Sequence, residues 1–234
     1  LFRDLDKTPP PPPDNLWLAA RAGELDKVAY FHAHGHQNTI STAGTTALYD
    51  AAERGHADVV SMLLSTRADA NLAAEQGAYT PLEIASQDGH KEVVEVLLQG
   101  RADVAQVNSS GASALHVAAQ HGYTDIAQAL LHAGAVVDAA EETKGNTPLL
   151  VAAENGHAAV AAELLAAGAD ANSPNADGEA PLVLAIYYDH VDLARLLVKR
   201  GADLTSQGQY GTPLDEATAQ GRTEIAELIR KTIT

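Results

Sequence analysis

The sequence predicts an all-α repeat solenoid, built from stacked helix-turn-helix units. One motif returns at steps of 32 to 34 residues along the 234-residue chain, which is the signature of a repeat protein. Each copy contains two short apolar patterns of helical spacing, and in most copies a glycine separates them. The chain is 46% hydrophobic but only 4% aromatic, which suits thin, closely stacked helices rich in Ala and Leu. The copies align on Leu16, Leu48, Leu82, Leu115, Leu149, Leu182 and Leu214.

These copies predict a repeat domain at residues 14–232, preceded by an arm at residues 1–13. The arm contains Pro9 to Pro13, and because proline fixes φ and lacks an amide hydrogen, we expect an extended segment. Two roles stay open for it: a ligand for an aromatic groove, and a spacer or strap on the first repeat. The first residue is not Met, which indicates a processed, trimmed or fragmentary chain. The repeats are expected at about 14–43, 44–76, 77–110, 111–143, 144–176, 177–208 and 209–232.

Helix starts recur at one position of the repeat. Thr80, Thr147 and Thr212 can accept hydrogen bonds from first-turn amides, and the proline that follows each of them fits a first helical turn. The sixth repeat differs at two positions. Ala180 removes the cap, and Asp189 replaces the glycine that ends the first helix elsewhere. We expect Asp189 to adopt the left-handed conformation, which Asp tolerates better than most residues.

The second helix of each middle repeat has apolar residues at i, i+1, i+4 and i+5, which places all four on one face. We expect this face to be buried against the neighbouring repeats. The sets are Val59, Val60, Leu63 and Leu64; Val93, Val94, Leu97 and Leu98; Ile126, Ala127, Leu130 and Leu131; Val160, Ala161, Leu164 and Leu165; and Leu193, Ala194, Leu197 and Val198.

The terminal repeats depart from this pattern, as the ends of a solenoid must, because one face meets solvent. Trp17 and Phe31 are predicted to be partly buried residues of the N-terminal cap, with a binding role as the alternative for Trp17. At the other end, Arg230 and Lys231 stand where earlier repeats have apolar residues or Gly. Cations suit the C-terminal end of a helix.

The repeats resemble the ankyrin repeat over about residues 14 to 232. The resemblance rests on triplets such as Thr80-Pro81-Leu82 and Thr147-Pro148-Leu149, on pairs such as Gly156-His157, and on repeat ends such as Gly168-Ala169-Asp170. It implies helix pairs connected by β-hairpin fingers. It also implies a concave groove, lined by first helices and fingers, that binds other proteins.

Several classes of chemistry find no support in the sequence. The absence of cysteine excludes disulfides, thiolate metal sites and thiol nucleophiles, and there are no nucleotide-binding or nucleophile-elbow motifs. His32, His34 and His36 form the densest histidine group, but no carboxylate or Cys stands at a fixed ligand spacing from them. We therefore expect no enzymatic activity, no cofactor and no metal. The histidines that recur at one repeat position are expected to be structural: His56, His90, His157 and His190.

The net charge of −16 is unevenly distributed. Residues 1–191 contain 25 acidic and 9 basic side chains, whereas residues 192–234 contain 6 of each. A nucleic-acid-binding surface would have the opposite sign, so we expect no nucleic acid partner. Two interpretations stay open: the charge keeps an Ala-rich solenoid soluble, or it attracts a protein partner with a basic surface. No run of eighteen apolar residues is present, so we expect no membrane insertion.

The resemblance implies that partner-binding residues precede the mid-repeat glycine or flank the glycine of each finger; the finger positions include Asp177 and Glu179. Tyr and Arg often dominate interface energies, so these residue types are favoured. For Tyr187 and Tyr188 the alternative is that they fill the space left by the missing glycine. The predicted partner-binding residues are Tyr187, Tyr188, Tyr79, Tyr210, Arg54, His121, Gln87, Asp88, Glu154 and Asn155.

The function expected from these features is a noncatalytic protein–protein interaction module that binds a partner protein through the groove and fingers. Two alternatives remain: a structural accessory subunit of a larger multi-chain complex, and a regulatory segment of a larger enzyme or channel. We expect an intracellular location, the cytoplasm first, and the nucleus or an organelle if an N-terminal targeting segment has been removed. The oligomeric state is not predicted.

Overall fold

Seven helix pairs form the part of the chain that the computed structural model describes, residues 14–33, 41, 44–207 and 211–234. The proline arm, His34, His36 and Tyr210 lie outside the described residues. The chain divides into two compact blocks, an N-terminal block (Leu1–Asp103) and a C-terminal block (Val104–Thr234).

In the N-terminal block, first helices pack on first helices and second helices on second helices: α1 contacts α3, α3 contacts α5, α2 contacts α4, and α4 contacts α6. Each first helix also packs against the second helix of its own pair. The helices are α1 (Asp14–Arg21), α2 (Leu25–Ala33), α3 (Ala47–Glu53), α4 (Ala57–Ser65), α5 (Pro81–Gln87) and α6 (Lys91–Gln99).

The C-terminal block repeats this arrangement over four pairs. Its first helices form one row and its second helices form a second row beside it. The helices are α7 (Ala114–His121), α8 (Thr124–His132), α9 (Pro148–Asn155), α10 (Ala158–Ala166), α11 (Pro181–Tyr187), α12 (Val191–Lys199), α13 (Pro213–Ala219) and α14 (Thr223–Ile233). Predominantly helical repeats of this kind confirm the predicted all-α solenoid class.

The predicted threonine caps are present. Thr80 Oγ1 accepts a hydrogen bond from the Glu83 amide at 3.1 Å, and the Glu83 carboxylate accepts one from the Thr80 amide at 2.7 Å. Thr212 forms the same reciprocal box, and Thr147 caps α9. Ala180 makes no side-chain cap, as predicted. Each cap satisfies amides that a helix start otherwise leaves without a partner.

The predicted apolar face of the second helices is one residue too broad. The residues at i, i+1 and i+4 of each set are buried, but those at i+5 are only half-buried. The reason is that the i+5 residue lies at the edge of the face. Leu64 is an example of an i+5 residue. Its side chain packs against Gly100 of the next repeat, so closely that a Cβ atom added to Gly100 would lie 2.6 Å from Leu64 Cδ1. The half-buried residues are Leu64, Leu98, Leu131, Leu165 and Val198.

Both ends of the described chain show the predicted cap features. Trp17 and Phe31 are more deeply buried than predicted, with only 7% and 4% of their surface exposed. In α14, Ile229 is buried while Arg230 and Lys231 are exposed in the last turn of the helix. The polar outer residues therefore replace the apolar contacts that a further repeat would make.

The fingers are tight turns rather than paired strands. An isolated β-bridge joins Val107 and Ser113, and no strand is assigned within the described ranges, so the implied β-hairpins are not regular ladders. A side chain at the start of the turn replaces ladder bonds: Asn108 Oδ1 accepts from the amides of Ser110 and Ala112. Successive fingers are joined by backbone hydrogen bonds such as that from the Glu142 amide to the Ser110 carbonyl, 3.0 Å long.

Glu141 holds one of these turns through its carboxylate. Oε1 accepts from the amides of Lys144 and Asn146 at 2.7 and 3.2 Å, and Oε2 accepts from the amide and hydroxyl of Thr143. Burial of this side chain raises its pKa, but the hydrogen bonds outweigh burial and lower the pKa from 4.5 to about 2. Ionised Glu141 is therefore the form that stabilises the folded finger.

Replacing Glu141 with Gln is expected to lower the free energy of unfolding at pH 7 by about 1 to 3 kcal/mol, because an amide cannot accept the whole set of bonds. Since the folded pKa lies below the unfolded value, the wild-type contribution is complete above pH 4.5 and disappears as pH falls from 4.5 towards about 2. Urea unfolding at several pH values measures both effects. The exposed neighbour Glu142, changed to Gln, is the control. Equal stability of the Glu141 and Glu142 variants at pH 7 would contradict the prediction.

No helix in the described ranges is both long and apolar enough to span a membrane.

Candidate functional site

Nine of the ten predicted partner-binding residues lie in the described chain, and most of them stand at the C-terminal ends of first helices. The N-terminal block contains Arg54, Tyr79, Gln87 and Asp88. The C-terminal block contains His121, Glu154, Asn155, Tyr187 and Tyr188. The predicted site therefore divides into two surfaces, one in each block.

A glycine–histidine clamp fixes the helix ends that present these residues. His190 Nε2 donates to the Glu154 carbonyl at 3.1 Å, and its ring covers Gly156. Gly156 has φ of +77°, and a Cβ atom there would lie 2.6 Å from the His190 ring. The clamp thus requires glycine for both conformation and space.

Three further clamps have the same geometry, with Nε2–carbonyl distances of 3.0 to 3.1 Å. The recurrent histidines are structural, as predicted, since each joins its own repeat to the preceding one. The clamps pair His56 with Gly23, His90 with Gly55, and His157 with Gly122.

At the end of α11 an ion pair replaces the clamp. Asp189 has φ of +61°, as predicted for this position. Arg222 stands where four other repeats have histidine. Its Nη1 lies 3.4 Å from Asp189 Oδ2, and its Nη2 donates to the Tyr187 carbonyl at 2.8 Å. Asp189 and Arg222 therefore replace glycine and histidine together, and the carbonyl bond is kept.

Tyr187 and Tyr188, called here the tyrosine pair, form an exposed aromatic surface. Their side chains are not buried in the core, since 54% of Tyr187 and 43% of Tyr188 is exposed. The two rings meet edge to face with centroids 5.0 Å apart, and the Tyr188 ring also stacks on His190 at 6.0 Å. Contacts of this kind hold both rings in a defined orientation.

Glu154 lies beside the tyrosine pair. The Tyr188 hydroxyl is 3.5 Å from Glu154 Oε1, which also lies 3.5 Å from the Lys144 ammonium of the neighbouring finger. Burial raises the pKa of the Tyr188 phenol, and the negative charge of Glu154 raises it further. The phenol therefore stays protonated and can donate a hydrogen bond. The structure thus brings three predicted residues together: Glu154, Tyr187 and Tyr188.

The other two predicted residues of this block make local contacts. The Asn155 amide donates to the Val151 carbonyl of its own helix at 2.8 Å, and the exposed His121 ring stacks on Tyr123 at 5.7 Å. Both side chains are exposed at the ends of their helices.

A pocket of about 320 Å³ is lined in part by Tyr187. The finger at residues 177–179, α11 and α13 supply most of its walls. Among the described lining residues, three are carboxylates and none is Lys or Arg. Sequence reasoning missed Val183, Gln207 and Glu216; Glu216 is the least expected, because this first-turn carboxylate is only 2% exposed. The lining residues are Asp177, Gly178, Glu179, Val183, Tyr187, Gln207, Glu216 and Gln220.

In the N-terminal block, Arg54 belongs to a group of surface charges. Its Nε lies 3.3 Å from Glu53 Oε2, and Arg21 Nη2 lies 3.7 Å from the same oxygen. These side chains are partly exposed, so the ion pairs contribute little to stability. Tyr79 is half-buried, with its ring against Gly77.

Tyr49 is a residue of this surface that sequence reasoning missed. Burial raises the pKa of Tyr49 to about 12, helped by the negative charges of Glu53, Asp50 and Asp88. Burial also raises the pKa of Asp50 to about 6, although a hydrogen bond from the Thr45 hydroxyl acts to lower this pKa. Tyr49 directly follows Leu48, the leucine of the helix-start triplet. An aromatic residue at this position is the feature of the sequence that could have indicated a surface residue here.

Among the residues that the structure places, no three His, Asp or Glu side chains are arranged to hold a metal ion.

A family model of ankyrin repeats, itself three copies long, matches residues 16–106, 68–141, 101–175, 136–208 and 164–233. The chain belongs to the ankyrin repeat family. Ankyrin repeats are generally protein–protein interaction modules, and the family is typically noncatalytic. No match to a curated protein was found.

Proposed function

We propose that this ankyrin repeat chain is a noncatalytic module that binds a partner protein with a basic surface through the tyrosine pair of its C-terminal block. The observation that supports this best is the exposure of two ordered tyrosine rings, 54% and 43%, in a chain with few aromatic residues. Tyrosine gives a large contact area at low cost in conformational entropy and is enriched at interface hot spots.

The charge around the tyrosine pair favours a basic partner. Asp177, Glu179 and Glu216 line the pocket on one side of Tyr187, and Glu154 lies beside Tyr188. Complementary charge raises the rate of association and disfavours acidic partners. Binding should therefore weaken as salt is added.

The N-terminal block provides a second proposed contact surface: Arg54, Tyr79, Gln87 and Asp88. Arg54 is exposed beside the Glu53 carboxylate, and Asp88 is also exposed. The four residues carry one positive and one negative charge, so we propose this surface as a contact without a preference for a basic partner.

The proposal is tested by affinity capture from the native source with the wild-type chain and a Tyr187→Ala, Tyr188→Ala double variant. We expect the partner to be lost or reduced at least about tenfold, since hot-spot truncations commonly cost 2 kcal/mol or more. Raising the ionic strength should release the partner from the wild-type chain. Both chains must show the same circular dichroism and thermal unfolding.

A matched control changes two other exposed apolar residues of the same block, Val136→Ala and Ile233→Ala, which are 59% and 57% exposed. This control should retain the partner. If the tyrosine variant retains it equally well, the tyrosine pair is not the binding surface and the proposal fails.

A further inference from the structure

We infer that the pocket beside Tyr187 receives the guanidinium group of an arginine side chain from the partner protein. This inference rests on the proposed function and specifies what the partner inserts next to the tyrosine pair. Its support is the size of the pocket, the chemistry of its walls and the exposed Tyr187 ring among its lining residues.

The pocket has the dimensions of a side-chain site. Its volume of about 320 Å³ is at the lower end of the roughly 300–1,000 Å³ found for small-ligand sites. It is formed where three elements meet: the finger at residues 177–179, α11 and α13. A pocket of this size between elements suits one long side chain.

The charge of the walls selects a cation. Asp177 is exposed at the rim, Glu179 is half-buried, and Glu216 is 2% exposed. Neutral amides donate to both glutamates: Asn175 Nδ2 donates to Glu179 at 3.1 Å, and Gln220 Nε2 donates to Glu216 at 3.3 Å. A guanidinium group could bond these carboxylates, whereas an anionic side chain would be repelled.

Arginine fits the remaining walls better than lysine. The guanidinium group is planar, weakly hydrated and able to stack on an aromatic ring, and the exposed Tyr187 ring offers such a surface. Half-buried Val183 can contact the methylene stem. The five donors of arginine also match a site with several carboxylate and amide oxygens, whereas the compact ammonium of lysine satisfies fewer of them at once.

The test uses nuclear magnetic resonance on the ¹⁵N-labelled full chain, with N-acetyl-arginine methylamide as the probe at low ionic strength. We expect saturable shifts centred on the amides of Val183, Tyr187 and Gln220. N-acetyl-lysine methylamide should bind at least about fivefold more weakly, and the neutral isostere N-acetyl-citrulline methylamide at least about tenfold more weakly, a difference of 1.4 kcal/mol.

Two variants make the test specific. Asp177→Asn removes one rim charge at an exposed position and should weaken the arginine probe about three- to tenfold, the range expected for one charge-assisted contact. Glu227→Gln makes the same charge change at an exposed position on α14 and should leave binding unchanged. Equal binding of arginine and citrulline, equal binding of arginine and lysine, or shifts outside the pocket would each overturn the inference.

The probe experiment is independent of partner capture, so the two proposals can fail separately. If the partner depends on the tyrosine pair but the arginine probe does not bind, the proposed function stands and the arginine pocket is rejected. If the probe binds in the pocket but the partner is indifferent to the tyrosine pair, the proposed function is rejected; the pocket then binds a guanidinium group, but not one from a partner that docks on the tyrosine pair.

Discussion

Replacing Leu164 with Ala is expected to lower the free energy of unfolding by about 2 to 5 kcal/mol. Leu164 lies on α10 and has no exposed surface. Because α10 packs against α8, α9 and α12, truncation would leave a cavity among several helices. The surroundings are themselves mostly closely packed helices, which can collapse only partly into the space.

Urea unfolding followed by circular dichroism measures this loss, and Leu165→Ala is the matched control. Leu165 is adjacent on the same helix but only half-buried, so its truncation should cost less than half as much. Hydrogen exchange adds a positional readout, since damage in a solenoid is greatest in the adjoining repeats. Equal destabilisation by both variants would show that α10 does not bury the face described here.

The regular features of the fold could be predicted because each is repeated. Seven aligned leucines fix the period, and local chemistry fixes the helix starts, as at Thr80 and Thr212. The width of the buried face could not be predicted in this way. Whether Leu64 is buried depends on how closely Gly100 of the next repeat approaches it. The helical periodicity of a sequence gives no information about distances between repeats.

The candidate site was predictable in position but not in chemistry. The family pattern indicated helix ends, and Tyr187, Tyr188 and Glu154 do lie together. Burial of Glu216 could not be predicted, because a carboxylate in a first helical turn normally faces solvent. The exchange of histidine for Arg222 was also missed, since its reason is Asp189, thirty-three positions earlier in the chain.

The clamps explain how the helix ends can carry diverse side chains without loss of structure. The histidine of each clamp, and Arg222 in the last repeat, donates to the backbone carbonyl of the residue two positions before the glycine or Asp189. The side chain of the residue that accepts this bond takes no part in it. Arg, Glu, Gln and Tyr therefore occupy equivalent positions on one scaffold. These residues are Arg21, Glu53, Gln120, Glu154 and Tyr187.

The same clamps predict that two equivalent glycines differ in their tolerance of alanine. Gly156 and Gly221 both have positive φ, +77° and +70°. Alanine at either site would therefore adopt the left-handed backbone conformation, which costs about 1 to 2 kcal/mol. A Cβ atom at Gly221 meets nothing within 4 Å, whereas one at Gly156 lies 2.6 Å from the His190 ring. At Gly156 the ring must move and give up its bond to the Glu154 carbonyl.

Gly156→Ala should therefore cost about 1 to 3 kcal/mol more than Gly221→Ala, the range for a lost hydrogen bond that leaves its carbonyl without a partner. Thermal and urea unfolding of both variants measures the difference. A double-mutant cycle with His190→Ala isolates the clamp, because the extra cost of alanine at Gly156 should vanish once the ring is gone. If Gly156→Ala costs the same with and without His190, backbone conformation alone explains the glycine. The end of α9, which places Glu154 beside the tyrosine pair, would then be fixed by its own helix rather than by the next repeat.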